Sequence, residues 1–188
     1  ATSVVALCLA AGTIVVSQAV TAPRASADAH GRFSFALIGD MPYGPEGDVK
    51  FPNVIADINA DRQIDFVVHD GDIKNGSSLC SDAMYLARLD LFNSFLAPLI
   101  YVPGDNEWTD CHREKAGKFD PLERLDYIRK AYFADPAKSL GAAPIAVESQ
   151  SAVMADKFAK FAENRRLSKD GVVFMTAHVV GSNNNFEV

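Results

Sequence analysis

Apolar residues recur along this chain in two rhythms. Short dense runs of Phe, Val, Ile and Leu fall at residues 32–38, 65–69, 99–102 and 171–177. Their length and their aromatic and branched side chains predict strands. Between the runs the apolar spacing widens to that of a helix with one buried face. Val54, Ile55 and Ile58 share such a face in a helix predicted over 49–62. Tyr85, Leu89, Phe92 and Leu96 do the same over 81–97, with Ser81 placed to cap the first turn and Pro98 to end the last. A third helix is predicted over 121–133, with Asp120 as its cap and Pro121 in the first position. Residues 135–146 carry Pro136, Gly141 and Pro144 and read as a loop. A further helix is predicted over 151–165, with Phe158, Phe161 and Leu167 as its core stripe. Strands alternating with helices predict an α/β fold, a largely parallel sheet flanked by helices.

In such a sheet, ligands collect at the carboxyl ends of the strands. Gly39-Asp40 follows the first run, Gly71-Asp72 the second and Gly104-Asp105-Asn106-Glu107 the third, while the fourth ends in His178. With the strands as neighbours, three carboxylates and an imidazole converge on one rim. Crowded carboxylates repel one another, and a divalent cation relieves that cost. The donor types suit Mn, Fe, Zn or Mg better than a soft-metal site. A single Gly-Asp pair is an ordinary turn, so the signal is the ordered series. Around it, His69 reads as a core histidine and Trp108 as packing over the third turn. Glu107 reads as orienting a neighbour, and Asp70 either faces the rim or caps a turn. Lys74 is a candidate phosphate contact or a solvated charge, and residues 182–185 form a polar turn. No Walker or dinucleotide glycine loop and no Gly-x-Ser-x-Gly elbow is present in the sequence, which argues against those chemistries.

Composition changes the picture in three ways. With 188 residues, the chain is long enough for one domain. A net charge of -6 with no basic run argues against a nucleic-acid backbone as the main partner. A phosphorylated substrate remains compatible, because bound metal reverses the local sign. The third change comes from the N-terminus. Residues 4–16 are apolar or small, and Ala25-Ser26-Ala27 has the form of a signal-peptidase site. The apolar run is shorter than the roughly 20 residues of a membrane span. Residues 1–29 are therefore expected to be an export signal or a residual anchor. Residues 30–188 are expected to form a domain outside the cytoplasm, periplasmic or secreted. Cys8 lies in the signal, which leaves Cys80 and Cys111 as an even pair in an oxidising compartment, where a disulfide is predicted.

The motif order resembles that of the calcineurin-like metallophosphoesterases. That family carries Asp-x-His, Gly-Asp-x-x-Asp, Gly-Asn-His-Asp/Glu, a lone His and a final Gly-His-x-His. This chain offers Gly39-Asp40-Met41-Pro42-Tyr43, Gly71-Asp72-Ile73-Lys74-Asn75, Gly104-Asp105-Asn106-Glu107 and His178 in that order. The 32 and 33 residues between successive aspartates suit the family, and the resemblance covers about residues 33–178. It implies a layered sandwich and a hydrolase of phosphate mono- or diesters that uses two divalent or trivalent metal ions (Mn, Fe, Zn or Mg). Asp40 would bind the first ion, Asp72 would bridge both, and Asp105 with His178 would hold the second. A hydroxide bridging the ions would attack phosphorus.

Departures from the pattern matter as much. Pro42 stands where the family has a metal-binding His, and Tyr43 beside it is either a phenolate ligand or packing. Asn75 replaces an acidic residue. Asn106 stands at the position of the His that protonates the leaving group, which Asn cannot do. A shift of one residue makes Asn106 a metal ligand instead, and both assignments stay open. His112 and His69 are the candidates for the missing acid. No Gly-His-x-His follows His178 before Val188, which predicts a copy of the domain incomplete at its C-terminus. Two other readings compete. Pro42 and Asn106 suit a ligand-binding protein without turnover on the same fold. An aspartyl-phosphate protein with Asp40 as acceptor lacks the second acidic residue, because Pro42 occupies that position.

Overall fold

The computed structural model describes residues 31–181 and 184. The expected export signal, with Cys8, lies outside them, as does most of the polar turn at 182–185. Three strands, β1 (Ser34–Ile38), β2 (Ile64–His69) and β3 (Leu99–Tyr101), form a parallel sheet in the order β1-β2-β3. Helices α1 (Gly44–Ala60) and α2 (Asp82–Asn93) make its crossovers, and α3 (Pro121–Tyr132) follows β3. This matches the predicted alternation. Among the described residues no helix is long and apolar enough to cross a membrane.

The sheet is apolar on both faces, as parallel sheets are. Val67, Leu99 and Tyr101 face a core built with Phe51 and Ile55 of α1, Tyr85 and Phe92 of α2, and Leu125, Ile128 and Tyr132 of α3. Phe66 and Ile100 point the other way, into a smaller cluster with Val147, Leu167 and Phe174. Those last three belong to or adjoin a second, antiparallel sheet of β4 (Glu148–Ser149), β5 (Arg165–Lys169) and β6 (Val172–Met175).

That second sheet corrects two expectations. The run at 171–177 is a strand, but it pairs with β5 as a hairpin and does not join the parallel sheet. The predicted 151–165 helix is two short turns, α4 (Gln150–Val153) and α5 (Ala155–Phe158), broken at Met154. Leu167 therefore belongs to β5, and the apparent stripe crossed a helix–strand boundary. Two other limits shift. Helix α1 begins five residues early, at Gly44, because Pro45 sits in its first turn, where proline is tolerated. Helix α2 stops at Asn93 because the Asn59 side chain takes the backbone of the next turn. Its amide donates to Ser94 O (3.0 Å) and its oxygen accepts from Leu96 N (2.7 Å). Ser81 and Asp120 cap α2 and α3 as their sequence positions predict.

Cys80, ahead of α2, is bonded to Cys111 in a 3-10 turn at Thr109–His112. Both cysteines are fully buried. The bond closes a loop of 31 residues that carries helix α2, strand β3 and the third rim turn. We expect the double variant Cys80→Ala/Cys111→Ala to lose about 3–4 kcal/mol in a chemical denaturation series. An unchanged midpoint would show that the bridge is not formed in solution.

Candidate metal centre

The parallel register brings the strand ends level. Ile38 pairs with His69, and His69 with Tyr101. Each chain then turns at its Gly-Asp. Asp40 N–H donates to Gly71 O (3.1 Å) and Asp70 N–H to Ile38 O (3.0 Å), so the first two turns are laced together. The second and third touch backbone to backbone. A Cβ on Gly71 would lie 2.2 Å from Gly104 N, and one on Gly104 would lie 2.0 Å from Asp72 Oδ1. Only glycine fits at either place, and Gly71 also holds φ +104°. Asp40 and Asp72 themselves sit at φ 54° and 58°. Left-handed backbone is uncommon outside glycine and gathers at functional sites, where the surroundings impose it.

What imposes it on the second turn is Glu107, fully buried. Asp72 N–H donates to both of its carboxylate oxygens (3.1 Å each), and Gly104 N–H and the Tyr101 hydroxyl donate to Oε1 (2.8 Å each). Burial and the nearby Asp72 charge push the Glu107 carboxyl up to about 7, against the pull of these donors. Glu107 thus orients its neighbours, as its position in the sequence suggests. Lys74 is buried as well, contrary to both of its predicted roles. Its ammonium donates to Asn75 O (2.9 Å), and burial lowers it to about 8, while Glu107 and Asp110 hold it charged.

The turns enclose an open cleft of about 360 Å³ lined by Asp40, Asp70, Asp72 and Asp105, with residues 177 and 179–181 as its far wall. A Cβ on Gly181 would lie 2.7 Å from Asp105 Oδ2, so that wall stands close over the third carboxylate. Burial raises the Asp72 carboxyl, and the Asp105 and Asp40 charges raise it further, while Asn106 N–H (3.1 Å to Oδ1) opposes them. The Tyr43 hydroxyl lies 2.9 Å from Asp40 Oδ1 and 3.3 Å from Asp72 Oδ2, and accepts from Asn106 Nδ2 at 2.9 Å. Burial and those two carboxylates drive its phenol far above its ordinary value.

Among the described residues, no group of three or more His, Cys, Asp and Glu side chains is gathered tightly enough to hold one ion. What is gathered is two carboxylates around one phenol oxygen, with the Asn106 amide nitrogen donating to that phenol. Hard oxygen donors that repel one another fit Mg, Mn or ferric iron, and at the Asp40–Asp72 pair the residues fit a cation.

The imidazoles depart from expectation. His178 does not line the cleft, although its neighbours Ala177 and Val179 do. Its ring is nearly buried, with Nδ1 3.0 Å from Glu163 Oε1, and packs edge-on against Trp108 at 5.4 Å. Its Nε2 is buried with no partner among the described residues. Glu163 draws it there. That carboxylate is fully buried and also receives Arg129 Nε at 3.0 Å. Burial opposes its ionisation, but His178 and Arg129 together lower it to about 2. The sequence reading missed Glu163, because it lies at the join of the α5 turn and β5, where no motif marks it. His112 is exposed and bonded to Thr109 O of its own turn, away from the cleft, so the reading of it as the acid is not carried further. His69 is the core residue predicted. Gly71 N–H donates to its Nδ1 and its Nε2 faces Met41 O, which fixes a neutral ring, and burial lowers it to about 4. Asp70 resolves toward the rim.

A parallel α/β sheet with an acidic cleft at the carboxyl ends of its strands defines the α/β class in which ligands gather at that rim. The family model for calcineurin-like phosphoesterases matches residues 33–174, well over half of the chain. The chain belongs to that family, whose chemistry is metal-dependent phosphoester hydrolysis. No curated protein and no solved structure gives a significant match.

Glu163→Ala should cost no more than about 3–5 kcal/mol, because it removes the buried partner of the largely buried Arg129, which keeps Asp126 at 3.8 Å, and leaves His178 Nδ1 without Glu163 Oε1. The same group sets an acid limit. Its folded value lies below the 4.5 of a free glutamate, so its contribution is complete above about pH 4.5 and fades as pH falls toward 2. Urea midpoints of both chains across pH 2–6 check this, with the wild-type advantage shrinking over that window.

Proposed function

We propose that this chain is an exported hydrolase of phosphate mono- or diesters, with two metal ions held by Asp40, Asp72, Asp105 and Asn106, while His178, expected from the sequence to join them, stays on Glu163. The observation that carries the reading is the cleft that Asp40, Asp72 and Asp105 line together behind three parallel strands. Asp72 suits the shared position, since the charges of Asp40 and Asp105 both act on its carboxyl. When bound, such ions supply the Lewis acid and the ionised water that phosphoester hydrolysis needs at neutral pH. The chain's own part is to aim the ligands. Gly71 and Gly104 let the turns meet, Glu107 locks Asp72, and the Asn106 backbone N–H holds Asp72 Oδ1. Asn106 positions groups here and has no proton to give the leaving group. Esters with a good leaving group, such as aryl phosphates, are therefore the favoured substrates.

A second reading, a ligand-binding protein without turnover, is favoured by one specific observation. His178 rests on Glu163 and not in the cleft. Turnover separates the two. The purified full chain should hydrolyse nitrophenyl phosphate with Mn(II), lose that activity on chelation, and fall to background as Asp72→Asn. Metal uptake without hydrolysis would favour the binding protein, and neither metal uptake nor hydrolysis would remove the phosphoesterase reading.

A further inference from the structure

Pro42 offers no side-chain donor at the first turn, and the hydroxyl of the residue after it lies between two rim carboxylates. The Tyr43 oxygen lies 2.9 Å from Asp40 Oδ1, 3.3 Å from Asp72 Oδ2 and 2.9 Å from Asn106 Nδ2. A phenol has one proton, which serves one carboxylate at a time. Two carboxylates from different turns nevertheless converge on this one oxygen. The segment is not free to swing away. Pro42 is buried, a Cβ on Gly47 would meet Pro42 C at 3.2 Å, and Gly47 N–H ties back to Tyr43 O (3.2 Å) at the start of α1. A cation shared by Asp40 and Asp72 would therefore meet the Tyr43 oxygen within its first shell. An anionic phenolate is a hard donor of the kind that carboxylate-rich sites of Mn or ferric iron accept.

We propose that Tyr43 is a ligand of the metal that Asp40 and Asp72 hold, at a turn where Pro42 offers no side-chain donor. This rests on the metal-dependent reading of the cleft. On binding, the phenol O–H bond breaks, its proton passes to solvent, and the freed electron pair goes to the ion. No oxidation state changes.

The alternative role for Tyr43 is a hydrogen-bond clasp that merely holds the rim while it is empty of metal. The two roles give opposite signs. A ligand lost in Tyr43→Phe weakens Mn(II) binding by at least about tenfold. A clasp lost in the same variant frees both carboxylates and leaves Mn(II) binding unchanged or tighter. A second readout is spectroscopic. The full chain loaded with ferric iron should gain a visible phenolate-to-iron absorption band, absent from Tyr43→Phe. Circular dichroism and thermal unfolding of the variant confirm that it is folded. Wild-type metal binding without the band, with Tyr43→Phe binding as tightly, overturns this inference and leaves the phosphoesterase reading standing. A wild-type chain that binds no metal at all overturns both.

Discussion

Glu107 is the fixed point from which the rim is built. Its buried carboxylate gathers Asp72 N–H, Gly104 N–H and the Tyr101 hydroxyl, joining two turns that are far apart in sequence. Each donor stranded by its loss would cost on the order of 1–3 kcal/mol. The anchor is itself anchored, because the Tyr85 hydroxyl donates to Glu107 O (2.7 Å) and Tyr132 donates to Tyr85 O (2.6 Å). Through that line the aromatic core between the sheet and helices α2 and α3 sets where Asp72 stands. The Cys80–Cys111 bond fastens the same strip of chain from its other end.

This rigidity is held against electrostatics. Asp40, Asp70, Asp72 and Asp105 share one cleft, and the nearby ammonium of Lys74 is buried beneath it with Glu107 and Asp110. The backbone at Asp40 and Asp72 is left-handed, and the Asp72 carboxyl is pushed up by its burial and its acidic neighbours. A fold that keeps carboxylates together in this way is poised for a cation. The family to which the chain belongs uses such cations for phosphoester hydrolysis.

Much of this was legible in the sequence, for local reasons. Ser81 and Asp120 cap helices through their own third neighbours, and the β1–β3 strands and their Gly-Asp turns follow from patterns a few residues long. An even cysteine count outside the expected export signal pointed to the disulfide. What stayed hidden depends on distant partners. The run at 172–175 looks like any buried strand, and only its pairing with β5 takes it out of the parallel sheet. His178 reads as a rim ligand until Glu163, fifteen residues earlier, is seen to hold its ring. Lys74 reads as a phosphate contact or a solvated charge because its burial with Glu107 and Asp110 depends on residues more than thirty positions away.

Calorimetric titration of the metal-free full chain with Mn(II), alongside Asp72→Asn, tests the central claim most directly. An acidic rim built to share a cation through Asp72 predicts saturable binding that is lost or strongly weakened in the variant. A wild-type chain that takes up no metal, or one whose binding is the same without the Asp72 carboxylate, would contradict the account.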